Sequence, residues 1–383
     1  MKLGSKRRLA FVTPRYGPEI LGGAESLTQG FAERLIEHGW SVEVWTTCAR
    51  DYHTWQNVYP AGVETINRVT VRRFPAFVSY DPVNLIPTDQ PVTLNIFGHF
   101  PDSLEVEYGW ADGGMHSPLL YHYLLQHGDS FDGLIFIPYP FGLICYAASI
   151  YPQRSIIWPC LHDDAVAYFE PVRVMLKQAK GIILNSDAEK RLLSQSLRVE
   201  NSHYQVVGYG LEAKTGEAER FYQQYPHLKR PFVLYAGRLE KAKNVHLLLE
   251  YFINYTKMRT NEVNLVLVGS GPILIPDHPQ IFHLGHVSDQ DKHDAYAAAT
   301  VLCQPSVYES FGITLLEAWL HNTPVLVHRR CQVTLEHCLA AQGGLYFRDE
   351  FEFMAALDFF LANPNTAKQM GINGRNYVEA NYE

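Results

Sequence analysis

The sequence predicts an α/β protein of two Rossmann-like domains, and three observations predict it. Short apolar runs rich in β-branched and aromatic residues alternate with amphipathic helical stretches, the pattern of parallel sheets covered on both faces. The chain has 383 residues, 47% hydrophobic and 19% charged, enough for two ordinary domains that each bury a core. A charged stretch low in apolar residues, "GLEAKTGEAERFYQQYPHLKR", separates two such alternating series. The expected organisation is a first domain over 1–208, a linker region over 209–230 and a second domain over 231–383.

In the first series the strand candidates are "LAFVTP", "SVEVWTT", "VTVRRF", "GLIFIP", "SIIWP", "GIILNS" and "YQVVG". In the second they are "FVLYAG", "NLVLVG", "IFHLG", "VLCQPS", "PVLVH" and "GGLYF". Residues 79–118 are irregular, rich in Pro, Gly and aromatics, and too long for an ordinary connection. They read either as a surface insertion or as part of an acceptor site. Trp55 and Trp110 are candidates for stacking on acceptor rings or for plain packing. No short-period repeat or low-complexity tract is present.

Composition excludes several functions. The net charge is −8, from 40 acidic and 32 basic residues, so the overall field does not favour nucleic acid or an anionic membrane. No apolar run approaches the roughly 20 residues that span a bilayer, and the start lacks a signal-peptide core, so a cytoplasmic location is expected. Peripheral contact with the inner face of a membrane is a weaker alternative, motivated by "KRR" at 6–8. Six cysteines lie far apart without a CxxC pair and are expected as buried thiols.

Ligands of open α/β sheets sit at the carboxyl ends of strands, and four such loops carry unusual residues. Gly22 and Gly23 precede an amphipathic helix expected from about 24 to 38, where they make either a plain turn or a close approach to an anion. His162, Asp163 and Asp164 follow a strand and read as a helix cap, a base with its orienting carboxylate, or, least favoured, a metal site. Arg238 follows a strand and Lys243 stands just before a helix. Two cations there oppose the helix's positive end unless a phosphate-like anion lies between them. In "CQPSVYESFGITLLEAW", Gly312 opens a helix start and Glu309 and Glu317 flank it. Either glutamate reads as a wet-face residue or as an acceptor for neutral hydroxyls, since a carboxylate does not favour a bound phosphate.

Together the four loops resemble the retaining GT-B glycosyltransferases of family 4. "ESFGITLLE" is similar to that family's E-x-F-G-x-x-x-x-E signature, "GRLEKAKN" to its phosphate-clamping loop, "GGAE" to its amino-terminal glycine loop and "LHDD" to its His-Asp. "VVGYGLE", "VGSGP", "LGHVSDQDKHDAYAAATVLCQPS" and "TPVLV" fit in order, and the resemblance covers nearly the whole chain except about 52–110.

The resemblance implies two Rossmann-like domains facing each other across a cleft, the first binding an acceptor and the second a nucleotide-sugar donor. It implies that Arg238 and Lys243 hold the donor diphosphate and stabilise its growing charge. The donor-binding turn of Ser310, Phe311, Gly312 and Ile313, with Gly22 and Gly23, supplies amides. Glu309 takes hydroxyls of the transferred sugar, Glu317 those of the ribose, and His162 lies by the anomeric region with Asp163 orienting it. The implied activity is hexose transfer to a glycan or lipid-linked hydroxyl, with retention, no metal and no cofactor.

Competing readings are a nucleotide-sugar epimerase, a glycosyl phosphorylase, or an inactive protein that binds nucleotide or glycan. The chain departs from the family in two places. Relatives usually continue past "GRNYVEANYE" with an aromatic-bearing helix that crosses back to the first domain, so the sequence is either truncated or without that crossover. "HRRCQVTLEHCLAAQGGLYF" replaces a glycine-rich loop before the next glutamate, Glu336, so Arg329, Arg330 and Cys331 bear on the choice of sugar.

Overall fold

The structure, a computed structural model, describes residues 7–20, 22–78, 104–201, 203–228, 231–260 and 262–382. Contacts divide the chain into two compact units, Met1–Val207 and Gly208–Glu383.

The first unit is built on an eight-stranded sheet. Its strands are β1 (Arg8–Val12), β2 (Ser41–Thr47), β3 (Gly62–Ile66), β4 (Val69–Phe74), β7 (Gly133–Phe136), β8 (Ser155–Ile157), β9 (Gly181–Leu184) and β10 (Tyr204–Val206). The intervening β5 (Phe77–Val78) and β6 (Met115–His116) pair separately as a short ribbon. Spatial order is β10-β9-β8-β7-β1-β2-β4-β3, parallel except for the β3–β4 hairpin. Every strand read in this half is present. β3 is the addition: four of its five residues are exposed, so no apolar alternation marks it, and Asn67 and Arg68 at φ 47° and 71° supply the two left-handed residues of its turn.

Residues 79–103 of the irregular stretch lie outside the described residues, as does Lys6 of the basic start. From Leu104 to Gly113 the stretch is helical. Trp55 and Trp110 pack edge-on against Phe141 and Phe169, at 5.5 and 5.6 Å between ring centroids.

The second unit holds a six-stranded, wholly parallel sheet of β11 (Phe232–Ala236), β12 (Asn264–Val268), β13 (Ile281–Gly285), β14 (Val301–Gln304), β15 (Val325–His328) and β16 (Gly344–Phe347). Its order is β13-β12-β11-β14-β15-β16, the doubly wound arrangement in which connections run outward from the β11/β14 pair in both directions. All residues of β11, β12, β14 and β15 are buried, as strands covered on both faces must be. The side-chain period of two divides β11 between two cores. Phe232, Leu234 and Ala236 join the core that contains Leu315, Leu316 and Trp319, while Val233 and Tyr235 join the core of Leu248, Phe252 and Phe353.

Of residues 209–230, read from their charge as a linker region, those described, 209–228, lie within the second unit. Ala218–Gln224 form a helix there whose Phe221 is buried against Phe232, and Arg220 makes a two-pronged contact with Asp294 at 2.7 Å. All six cysteines are buried, with no disulfide among them. Among the described residues no helix is long and apolar enough to cross a membrane.

Candidate functional site

In the second unit the connections change direction between β11 and β14, and the loops leaving the carboxyl ends of these two strands run side by side. This is where an open α/β sheet leaves a crevice for a ligand. Arg238 stands in the first loop, two residues beyond β11. The buried Tyr235 fixes that loop from below, its hydroxyl donating to the Arg238 carbonyl at 2.7 Å, and the Gly237 amide donates to the Val268 carbonyl at 2.9 Å. The Arg238 guanidinium lies 3.4 Å from Glu240, with a side chain 42% exposed.

Lys243 closes a single 3-10 turn, and Asn244, at φ 55°, leads into the helix Val245–Met258. No side chain caps that helix start. Instead the Asn244 side-chain amide donates to the Pro305 carbonyl at 3.1 Å, tying the loop after β11 to the loop after β14. Lys243 spans the same gap. Its Nζ lies 2.8 Å from Glu309 Oε1, with the two side chains 19% and 14% exposed. Gln304, the last residue of β14, donates to the same Glu309 oxygen at 2.9 Å, and its own carbonyl accepts from the Thr314 hydroxyl at 2.9 Å. A buried amide on a core strand is costly unless both ends are satisfied, as they are here.

Gly312 precedes the helix Ile313–Leu320 at φ 83° and ψ 46°, the left-handed region, with no side-chain cap on the first amides. A Cβ there would also stand 3.1 Å from Thr334 Cγ2. Phe311 is buried, edge-on to His337 and Tyr382, so it anchors the turn and leaves its backbone as the polar surface. Ser310 and Ile313 are half-buried on either side. One turn on, Glu317 has both carboxylate oxygens engaged: Lys292 Nζ lies 3.0 Å from Oε1 and the Tyr296 hydroxyl donates to Oε2 at 2.9 Å.

The divergent loop before Glu336 borders this site. Cys331 stands just before the helix Gln332–Ala341, and its thiol is pushed up by burial and next by the Glu309 carboxylate. The Arg329 and Arg330 amides are used locally, by the Phe347 carbonyl at 2.8 Å and by His328 Nδ1 at 3.2 Å.

In the first unit the switch between β1 and β7 is likewise followed by singled-out residues. Gly22 is extended, and the helix starts at Gly23. Glu25 folds back over that start, so close that a Cβ on Gly22 would lie 2.2 Å from its Oε2. Arg15 pairs with Glu25 and lies over the Tyr52 ring, 4.9 Å from its centroid. The helix start therefore already faces a carboxylate of the chain itself.

His162 lies beyond β8. The structure sets Asp164 beside it, 3.9 Å from Nδ1, while the exposed Asp163, expected to orient the ring, accepts from the Tyr168 hydroxyl at 2.7 Å. Asp164 accepts from the Tyr139 hydroxyl at 2.7 Å and the Ala167 amide at 3.0 Å, and burial pushes its carboxyl up. The loop is held from behind by the buried Glu189, which accepts the amides of Leu161 and Asn185. Burial pushes that carboxyl up to about 8 against the pull of these amides.

Sequence reading singles out Arg238, Lys243, Glu309 and Glu317 but misses Gln304, Lys292, Tyr296 and Glu189. The last three sit on helices whose patterns explain them as ordinary wet or core positions. Spacing of four placed Lys292 and Tyr296 on one helical face, without showing what that face meets. Among the described residues no group of three or more His, Cys, Asp or Glu side chains is arranged to hold a metal ion.

Comparison with known proteins bears on this geometry. Residues 217–377 match the family described as Glycosyl transferases group 1. The chain is 24% identical over 344 residues to an uncharacterized glycosyltransferase of Methanocaldococcus jannaschii, covering 84% of this chain and 80% of that protein. It is 23% identical over 387 residues to the alpha-monoglucosyldiacylglycerol synthase of Streptococcus pneumoniae, covering 94% and 79%. Among solved structures, Anabaena HepE in complex with UDP-glucose superposes with a TM-score of 0.70 at 17% identity, covering 98% of this chain and 95% of that one. The sucrose-phosphate synthase of Thermosynechococcus elongatus does so with a TM-score of 0.70 at 16% identity, covering 99% and 95%. Residues 217–377 are thus similar to the group 1 glycosyl transferase domain, in a chain whose two Rossmann-like units have the GT-B fold.

Proposed function

We propose that the protein transfers a hexose from a nucleotide diphosphate sugar to a hydroxyl of a glycan or lipid-linked acceptor, with retention of anomeric configuration and without a metal ion. The observation that carries this reading is the Lys243–Glu309 contact of 2.8 Å, beside an uncapped helix start at Gly312. A cation and amides suited to phosphate adjoin a carboxylate suited to sugar hydroxyls.

In this reading Arg238, Lys243 and the amides of the Gly312 turn hold the diphosphate. They stabilise the charge that grows on it as the bond from the sugar's anomeric carbon to the phosphate oxygen breaks. The acceptor oxygen bonds to the same face of that carbon, and its proton passes to the departing phosphate oxygen. Glu309 serves the transferred sugar and Glu317 the ribose, and no second carboxylate is assigned as a nucleophile. The first unit takes the acceptor. HepE was solved with UDP and with UDP-glucose, which makes UDP-sugars the first donors to try, and the named lipid glycosyltransferase relative supports a lipid-linked acceptor among the candidates.

The test is a thermal-shift panel of nucleoside diphosphates and their sugars, followed by mass and anomeric analysis of donor with acceptor in EDTA. One base should stabilise the protein, and a hexose should move to acceptor with retention. Turnover abolished by EDTA and restored by magnesium or manganese removes the metal-free mechanism. An isomerised donor of unchanged mass points to an epimerase, and phosphate-dependent release of sugar phosphate to a phosphorylase. Binding with no turnover across the panel leaves a binding protein.

A further inference from the structure

We propose that Lys292 is a positioning residue for nucleotide recognition, holding Glu317 in the pose that receives ribose hydroxyls while Tyr296 fixes the second carboxylate oxygen. The proposal rests on the assignment of Glu317 to the ribose made above.

Three contacts define the arrangement. Lys292 Nζ lies 3.0 Å from Glu317 Oε1 and 3.1 Å from Asp289 Oδ1, and the Tyr296 hydroxyl donates to Glu317 Oε2 at 2.9 Å. Tyr296 is fully buried, and its backbone carbonyl accepts from the Thr323 hydroxyl at 2.6 Å, so the phenol is a fixed donor. Lys214 pairs with Asp289 as well, which anchors that carboxylate on another side.

A carboxylate offers about four acceptor sites, and these two donors take one on each oxygen. The carboxylate plane is thereby set, and the remaining lone pairs have one direction in which to meet vicinal hydroxyls. Pre-set geometry of this kind raises affinity by removing an ordering cost at binding.

Lys292 is also what allows Glu317 and Asp289 to share one neighbourhood as anions. Burial pulls its ammonium down, but the two carboxylates more than offset this and hold it above the ordinary lysine value. An exposed helix-surface ion pair would contribute little. This one joins two helices, Asp289–Ala298 and Ile313–Leu320, and its lysine and Glu317 side chains are 26% and 14% exposed.

The experiment is calorimetry on the full chain with UDP, GDP and ADP, each beside its 2′,3′-dideoxy counterpart. The wild type should bind the ribonucleotide of its preferred base at least ~10-fold more tightly, as expected for hydroxyls bonded to a charged group. Lys292→Met keeps the length and apolar packing of the side chain. It should bring that ratio to within about 3-fold of unity while leaving dideoxynucleotide affinity within about 2-fold of wild type. Tyr296→Phe, which removes one oxygen, should lower the ratio by at least about 3-fold and serves if Lys292→Met does not fold.

A merely structural role would weaken both nucleotide forms alike and leave the ratio unchanged, and either variant behaving so overturns the proposal. A wild type that does not distinguish the two forms, or binds none of the three nucleotides, removes the ribose assignment of Glu317 itself and this proposal with it. That failure is visible without any variant.

Discussion

In the proposed function Lys243 and Glu317 divide donor binding between them in a way that two substitutions separate. There Lys243 is assigned to the phosphate whose charge grows during bond cleavage, whereas Glu317 is assigned to hydroxyls that it would meet equally in ground and transition states. Glu317→Ala should weaken nucleoside diphosphate binding about 10- to 100-fold, as loss of a charge-assisted bond does. Lys243→Ala should chiefly slow transfer, by about 100- to 1000-fold, with a smaller effect on nucleotide affinity. Isothermal titration and steady-state kinetics on both variants check this, and unchanged values in both would remove the site assignment. Lys243 was legible in the sequence because it sits where a strand-like run gives way to a helix, and Glu317, one turn into the helix Ile313–Leu320, through its place in the E-x-F-G-x-x-x-x-E pattern. Gln304 was not, since a single amide at the end of "VLCQ" declares no partner. Only the fold brings Thr314 and Glu309 to its two ends.

At the scale of elements the turn before the helix Ile313–Leu320 decides whether its amides face a ligand. Gly312 holds φ 83°, and an alanine there would bring its Cβ to 3.1 Å from Thr334 Cγ2. Gly312→Ala should therefore cost roughly 1–2 kcal/mol, read as a lower denaturant midpoint at constant slope, and should weaken nucleoside diphosphate binding. An unchanged midpoint would show that the turn tolerates a side chain. The helix and its glycine start were readable from apolar spacing. The β3 edge strand and the helix Ala218–Gln224 were not, because one is exposed on both faces and the other presents a mostly polar surface around the single buried Phe221. Hydrophobic pattern reports burial, and where burial is slight it reports little.

Across the whole molecule the buried histidines set a dependence on pH. Burial pushes His293, His321, His328 and His337 down to about 4, all in the second unit. Unfolded histidine titrates near 6.5, so between that value and about 4 the unfolded chain binds protons that the folded unit does not. Stability carried by the neutral rings is present above about pH 6.5 and is lost as pH falls toward 4. Glu189 in the first unit acts in the opposite sense. With its carboxyl raised to about 8, the folded form holds a proton that the unfolded form has released, so that stability declines as pH rises from about 4.5. Melting curves at pH 7.5 and 5.0 should show the second unit's transition falling by roughly 5 °C or more. A His293→Gln/His321→Asn variant should show a shallower fall, and equal slopes in variant and wild type would contradict the account.

By itself the sequence determined the alternation of strands and helices, the two sheets, and the kinds of residue at the carboxyl ends of their strands. These follow from local periodicity, which a chain carries residue by residue. Tertiary structure alone decided the pairings between those residues: Lys243 with Glu309, 66 positions apart, Lys292 with Glu317, 25 apart, and Asp164 beside His162. Hydrogen bonds and ion pairs act over about 3 Å, and separation along a chain says nothing of distance at that scale until the strands are ordered and the helices packed.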